Sequence, residues 1–272
     1  MESRILYTPR MRRRKKRISR RSVFAALGFI AVLGVLGGAV YLLRYPAWQI
    51  TEMSFSGFER VVSVDVEAKI QEDLRGSRAL VLPRSSYFLF DSAESEEKIL
   101  KDFPRLESIQ IRKEFPSKIS VVAKEREFWA IYCAGESGRC GYSDRTGFVY
   151  EEAPVSTGSL ILTVFRDTGN VEIPSQSIEQ SLVEKLILFS ELLSSETGEE
   201  VESFIVSGGL DDEFQARVRS GFFLYVKRDD DFARVAKTFK IFLEKEIGEK
   251  KLGLEYVDLR FGNKIFYKTK NP

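Results

Sequence analysis

Twenty-one consecutive residues without a charge, VFAALGFIAVLGVLGGAVYLL from Val23 to Leu43, constrain this chain more than any other feature. At about 1.5 Å rise per residue, a helix of that length spans roughly 30 Å, the hydrocarbon thickness of a bilayer. A secretory leader has a shorter apolar region, about 7–15 residues, followed by a small-residue cleavage site. Here Arg44-Tyr45-Pro46-Ala47-Trp48 follows, with no small-x-small site. The run therefore reads as a retained anchor, and no other stretch is long and apolar enough to span.

The charge around the run gives it a direction. Residues 1–22 hold ten Lys/Arg against one acid, Glu2, so the tail carries +9 on a chain of total +2, and the other 250 residues sum to −7. Such a tail has too little apolar surface to fold alone and is expected to be disordered. By the positive-inside rule it stays in the cytoplasm, and Tyr41, Tyr45 and Trp48 suit the far interface. Nucleic acid or anionic lipid could attract so basic a segment. With one aromatic, Tyr7, it offers no base-reading surface. A topology signal with some attraction to lipid is the preferred reading, and no nucleic-acid partner is expected.

Two units follow the anchor. In the first, ITEMSFSGF is a short strand ending at Gly57. SVDVEAKIQEDL is a helix with Ser63 as N-cap and Val66, Ile70 and Leu74 on one face. RALVLPRSSYFLF is a loop or short strand broken by Pro83. DSAESEEKILKDF is a second helix, with Asp91 and Glu94 in capping-box positions, Ile99, Leu100 and Phe103 inward, and Pro104 as its stop. LESIQIRK and SKISVVAKE alternate apolar and polar residues about the turn EFPS and read as a hairpin. The order is β-α-α-β-β.

The second unit is richer in strands. EFWAIYC pairs with CGYSDRTGFVYEE, which folds again at Asp144–Gly147, and SLILTVFR is a further strand. SIEQSLVEKLILFSELL is a helix with Ser177 and Gln180 in capping-box positions and the stripe Ile178, Leu182, Leu186, Phe189 and Leu193. VESFIVSG, EFQARVRS and GFFLYVKR are strands at hairpin spacing. DDDFARVAKTFKIFLEKEIG is a helix with Phe232, Val235, Phe239, Phe242 and Leu243 on one side. LEYVDLRFGNKIFYK is the terminal strand. The fold class is α+β: one membrane helix, a β-α-α-β-β module, and a mixed β-rich domain with two helices.

No catalytic constellation emerges. The chain has no His, which removes the usual Ser-His-Asp and Cys-His nucleophiles and the commonest metal ligand. Ser95-Glu96-Glu97-Lys98 fits S-x-x-K, but it lies in the polar first turn of a helix, and no S-D-N or K-T-G partner appears. Asp229-Asp230-Asp231 could suggest a cation site, and more often such a triplet caps a helix. No P-loop or dinucleotide fingerprint is present. Two cysteines cannot build a four-ligand zinc site, and Cys133 and Cys140 lack the C-x-x-C spacing of redox motifs. They bracket a short Gly-containing loop, where a local disulfide competes with two free thiols. No enzyme activity, metal or cofactor is expected.

A basic tail, one span, a β-α-α-β-β module and a β-rich domain together resemble the FtsQ/DivIB family of bacterial division proteins. The strings that carry the resemblance are MSFSGF with SVDVEAKI, which look like the opening of the family's POTRA module; FPSKISVVAKERE with the pair Glu125-Arg126 at its end; YSDRTGFVY, similar to the Asp-x-x-Gly hairpin; and, most specific, YVDLRFGNKIFYK. Two departures are Phe128, where the family usually has Pro two positions after the Glu-Arg pair, and the cysteines, which suggest a lineage-specific staple. The boundaries implied are a basic tail at 1–22, a transmembrane helix at 23–43, a POTRA domain at 48–125, a β domain at 126–269 and a tail at 270–272.

The resemblance implies a non-enzymatic scaffold in the inner membrane at the division septum. It would bring FtsB/DivIC-like and FtsL-like coiled-coil membrane proteins to a complex that regulates the septal peptidoglycan synthase. The partner would dock on the terminal strand by strand addition. Arg260 and Phe261 of DLRF transfer by motif, Ile265, Phe266 and Tyr267 follow by adjacency, and Arg217 or Arg219 could add a charged contact. Arg260, Lys264 and Lys268 would blunt the open edge and attract an acidic segment. The competing expectation is that Leu259, Phe261 and Ile265 fill the core. The alternative function is a membrane-anchored POTRA module for translocation or envelope assembly.

Overall fold

The computed structural model describes residues 20–78, 82–135, 138–155, 160–167, 169–207, 212–262 and 264–270. The basic tail to residue 19, part of the RALVLP segment and residues 271–272 lie outside the described residues. Two compact units interleave along the sequence. One holds Met1–Ser54, Val66–Ser95 and Ile111–Val121, and the other holds Phe55–Asp65, Glu96–Gln110 and Val122–Pro272.

The apolar run forms α1, Arg20–Leu43, and Val23–Leu43 is long and apolar enough to cross a membrane. A single 3-10 turn, Pro46–Trp48, leads into β1, Glu52–Ser56. Next come α2, Ser63–Arg75, the two-residue strands β2, Ser77–Arg78, and β3, Leu82–Pro83, and α3, Ser92–Asp102. The strands β4, Leu106–Glu114, and β5, Lys118–Glu125, complete a three-stranded sheet in the order β1-β5-β4. Val66, Ile70 and Leu74 are buried on one face of α2, four residues apart as a helix requires. Asp91 caps α3, its Oδ1 accepting from the Glu94 amide at 3.3 Å.

The remaining strands are β6, Phe128–Ala134; β7, Cys140–Asp144; β8, Phe148–Ala153; β9, Thr163–Arg166; β10, Ser175–Gln176; β11, Val201–Val206; β12, Glu213–Val218; β13, Phe223–Lys227; β14, Leu254–Phe261; and β15, Lys264–Thr269. They form one ten-stranded sheet, ordered β10-β8-β7-β6-β9-β11-β12-β13-β14-β15. The helices are α4, Gln180–Thr197, and α5, Phe232–Phe242.

Topology explains where these helices lie. β9 and β11 are parallel neighbours, and so are β13 and β14. A parallel pair needs a crossover, here α4 in one case and α5 in the other. Both crossovers step in the same direction between strands of like orientation. Connections of one hand then put both helices on one face of the sheet. Phe189 of α4, Phe204 and Phe214 of the sheet and Phe232 of α5 meet there edge to face, with centroids 5.2–6.5 Å apart. Asp231 caps α5 by accepting from the Arg234 amide at 3.1 Å.

The capping box expected at Ser177 does not form. α4 starts at Gln180, and no side chain caps it at Glu179. Ser177 instead meets Ser175 through their hydroxyls at 2.8 Å, and its amide donates to the Gly147 carbonyl. Ile178 thus precedes the helix, although it is buried. Cys133 and Cys140 face each other across β6 and β7, Cα–Cα 4.1 Å, and are joined as a disulfide.

The Glu-Arg and Asp-x-x-Gly strings acquire physical reasons. The Glu125 carboxylate accepts three consecutive amides, of Glu59, Arg60 and Val61, at 2.8, 2.9 and 2.8 Å. Burial pushes this carboxyl up, but the three amides outweigh it and its pKa is lowered. Arg126 turns the other way. Its Nε donates to the Pro104 carbonyl at 3.0 Å and Nη1 to Asp144 at 2.6 Å, while its guanidinium lies 4.0 Å from the Phe148 ring. Asp144 also accepts from the amides of Thr146 and Phe148 and from the Thr146 hydroxyl, which closes the hairpin. Gly57 and Gly147 have φ of 80° and 84°, and a Cβ on either would overlap the Ala123 or the Ile178 carbonyl. No other residue fits there without strain.

Arg126→Ala would leave the buried Asp144 carboxylate without its cation. Loss of one partner of a buried pair costs about 3–5 kcal/mol, so urea unfolding of this variant should shift strongly, and Arg126→Lys should recover only part of the loss.

Candidate functional site

The sequence reads Leu254–Lys268 as one terminal strand. The structure folds it back on itself, into β14 and β15. Gly262 takes the left-handed conformation at the turn, φ 68°. Gly-Asn between two apolar runs is itself a hairpin signal, which the continuous alternation masks. The correction changes which residues are at the edge. β14 is an inner strand, parallel to β13 and antiparallel to β15, whereas β15 is paired on one side only among the described residues. The opposite edge of the sheet is the two-residue β10.

Arg260 and Phe261 therefore end an inner strand, while Lys264, Ile265, Phe266 and Tyr267 lie on the edge strand. On the helix-covered face, Val257 and Leu259 are buried, Ile265 packs against the same core, and the Tyr267 ring sits 5.1 Å from Phe242 of α5. Filling of the core thus holds for Leu259 and partly for Ile265. It does not hold for Phe261, which is 52% exposed.

The other face is an aromatic platform. Tyr225 and Tyr256 meet edge to face at 5.5 Å, and so do Phe261 and Phe266 at 5.2 Å. Phe266 is 52% exposed. The Arg260 guanidinium lies between the two pairs, 5.2 Å from the Tyr225 ring and 5.7 Å from that of Phe261. It donates to Asp258 at 2.8 and 2.6 Å and to Glu213. Burial pushes the Asp258 carboxyl up, but the Arg260 side-chain and backbone hydrogen bonds outweigh it and hold its pKa below the usual carboxylate range. The Asp258 hydrogen bond is the main reason that the Arg260 pKa is raised further.

Two of the three cations expected to draw in an acidic segment, Arg260 and Lys268, are thus engaged within the chain. Arg260 holds Asp258 and Glu213, and Lys268 pairs with Glu255 at 2.8 Å. Arg217 faces Phe223 in register, its guanidinium 5.7 Å from that ring and its Nε 3.8 Å from Glu202. Arg219 follows the end of β12 and pairs with Glu200. Arg217 is three strand spacings from β15, about 14 Å, so the structure does not bring it to the edge. Tyr225 and Tyr256 belong to the platform and were missed by sequence reasoning, because only the strand register makes them neighbours. The Ser95 hydroxyl of the S-x-x-K string donates to Asp73 at 3.0 Å, a bond from α3 to α2.

Residues 59–126 match the family model of the POTRA domain, FtsQ-type. The chain therefore carries an FtsQ-type POTRA domain over about a quarter of its length. The match supports its membership of the FtsQ/DivIB family, and with it a role in cell division. No curated protein matches the chain.

Asp258→Asn should destabilise the chain by about 1–3 kcal/mol at neutral pH, the range for a buried polar group left unsatisfied. Because the folded pKa of Asp258 lies below its unfolded value, its stabilisation is present above the ordinary carboxylate range and lost as pH falls through the lowered value. The difference in thermal stability between the variant and the original chain should therefore narrow below about pH 4.

Proposed function

We propose that the chain is a non-enzymatic division scaffold that captures a coiled-coil membrane partner by strand addition along β15. The partners are FtsB/DivIC-like and FtsL-like proteins, and the complex regulates septal peptidoglycan synthesis. The chain crosses the inner membrane once through Val23–Leu43, with its basic tail in the cytoplasm and its folded units outside. Its domains follow the tail, span, POTRA module at 48–125 and β domain at 126–269.

One observation carries the reading: among the described residues, the outermost strand β15 of the ten-stranded sheet is open along one side and flanked by exposed aromatic rings. An added strand would gain backbone hydrogen bonds along β15, and alternate side chains would supply specificity. Phe261 and Phe266 on the platform and Tyr267 on the opposite face are the apolar contacts offered. Arg260 acts by orienting Phe261 and Tyr225 rather than as a free charge. Lys264 opens the strand at the turn and keeps that end of the edge polar.

The test is copurification of the full chain with the coiled-coil division proteins of the same cell. Phe266→Ala and Phe261→Ala should each weaken binding by about 2 kcal/mol, roughly 30-fold, as hot-spot aromatics do. Deleting residues 256–272 would also remove the core residues Val257 and Leu259, so these point variants are the cleaner probe. Undiminished binding by a double variant that melts like the original chain would sink the proposal.

A further inference from the structure

We propose a second interaction surface: an aromatic edge beside the end of α1 that embeds in the headgroup layer of the membrane. It rests on the reading of α1 as a span, and it adds that the first folded unit touches lipid directly.

Four residues from separate parts of the sequence continue the ring series begun by Tyr45. Tyr45 and Trp48 meet at 5.9 Å, Trp48 and Phe88 at 5.3 Å, Phe88 and Tyr87 at 5.5 Å, and Tyr87 and Phe115 at 5.6 Å, all edge to face. This is not a core cluster. Phe115 is 68% exposed, Phe88 52% and Tyr45 46%. A run of exposed rings on a soluble face is costly, and contiguous exposed apolar patches mark surfaces that something covers.

The occupant follows from the distance to the span. The Gln49 side chain donates to the carbonyl of Leu43, the last residue of α1, at 2.9 Å. It also accepts from the Ser85 hydroxyl at 2.6 Å, and the Ile50 and Tyr87 amides donate to the Ser85 and Trp48 carbonyls, both at 2.8 Å. Segment 48–50 is thus laced to segment 85–87 directly beneath the helix end. Trp48 is five residue steps beyond Leu43, at most about 17 Å of chain even if fully extended. The 3-10 turn and the Gln49 bond shorten that span, leaving Trp48 close to the interfacial layer, which is about 5–7 Å thick on each side. Aromatic rings are favoured at that depth.

Charge agrees with this placement. The Lys113 ammonium caps the Tyr87 and Phe90 carbonyls at 3.2 and 3.1 Å and lies 5.4 Å from the Tyr87 ring. A groove of about 740 Å³ nearby is lined by Arg44 and Arg75, suited to phosphate-bearing headgroups.

The experiment uses the full chain in nanodiscs containing phospholipid brominated high on its acyl chains. Trp48→Phe and Trp129→Phe remove the native indoles, and a single reporter is then added as Phe115→Trp, Phe88→Trp, Tyr41→Trp or Phe261→Trp. The proposal expects blue-shifted, quenched emission at positions 115, 88 and 41, and unquenched emission at 261. Quenching at 41 but at neither 88 nor 115 would overturn the lipid contact and leave the span intact. Absence of quenching at 41 would overturn the span and the proposal with it. Two reporters on the edge keep the test decisive if one variant fails to fold.

Discussion

The passage from β5 into β6 depends on two adjacent side chains of opposite charge pointing in opposite directions. Glu125 gathers the three amides that precede α2. Arg126 reaches back to the Pro104 carbonyl and forward to Asp144. Neither role can be exchanged. A carboxylate accepts several amides at one oxygen, and a guanidinium donates along several directions at once. Removal of either would leave partners that only water could satisfy, and Asp144 is too buried for that. The direction in which the chain enters the large sheet is therefore set by hydrogen bonds more than by apolar burial, which tolerates small rotations.

The shape of that sheet follows from its connections. Of the three parallel pairs among the described residues, β9–β11 and β13–β14 are bridged by helices, and the constant hand of crossovers places α4 and α5 together on one face. That face becomes the core, while the opposite face near the terminal hairpin is left to aromatic and charged side chains. β14 enters beside β13 after α5, and the chain then turns back at Gly262. β15 is the result, an outermost strand. Its open side is a consequence of the order in which the sheet is wound.

Much of this was legible in the sequence, for local reasons. The caps at Asp91 and Asp231 and the stripe Val66-Ile70-Leu74 depend on residues within a turn or two of one another. The missed cap at Ser177 shows the limit: its hydroxyl had a competing partner, Ser175, that the helix pattern does not reveal. The last hairpin was hidden because alternation continues across Gly262, so that periodicity alone cannot distinguish one strand from two. The platform of Tyr225, Tyr256, Phe261 and Phe266, and the ring series from Tyr45 to Phe115, join residues far apart in the chain. Only strand register and loop pairing bring them together.

The platform also explains why the conspicuous arginine of the terminal motif need not be a docking charge. Asp258 lies directly opposite Phe266 across the hairpin and Tyr225 across the sheet, so a carboxylate would stand alone among rings. Arg260 neutralises it, takes up Glu213 as well, and covers two ring faces with its delocalised cation. The result is a patch in which the guanidinium is fully taken up by two carboxylates. The surface beside β15 therefore presents aromatic rings and backbone, not an unpaired guanidinium. On the strand-addition proposal, selectivity would come from the fit of side chains against Phe261 and Phe266.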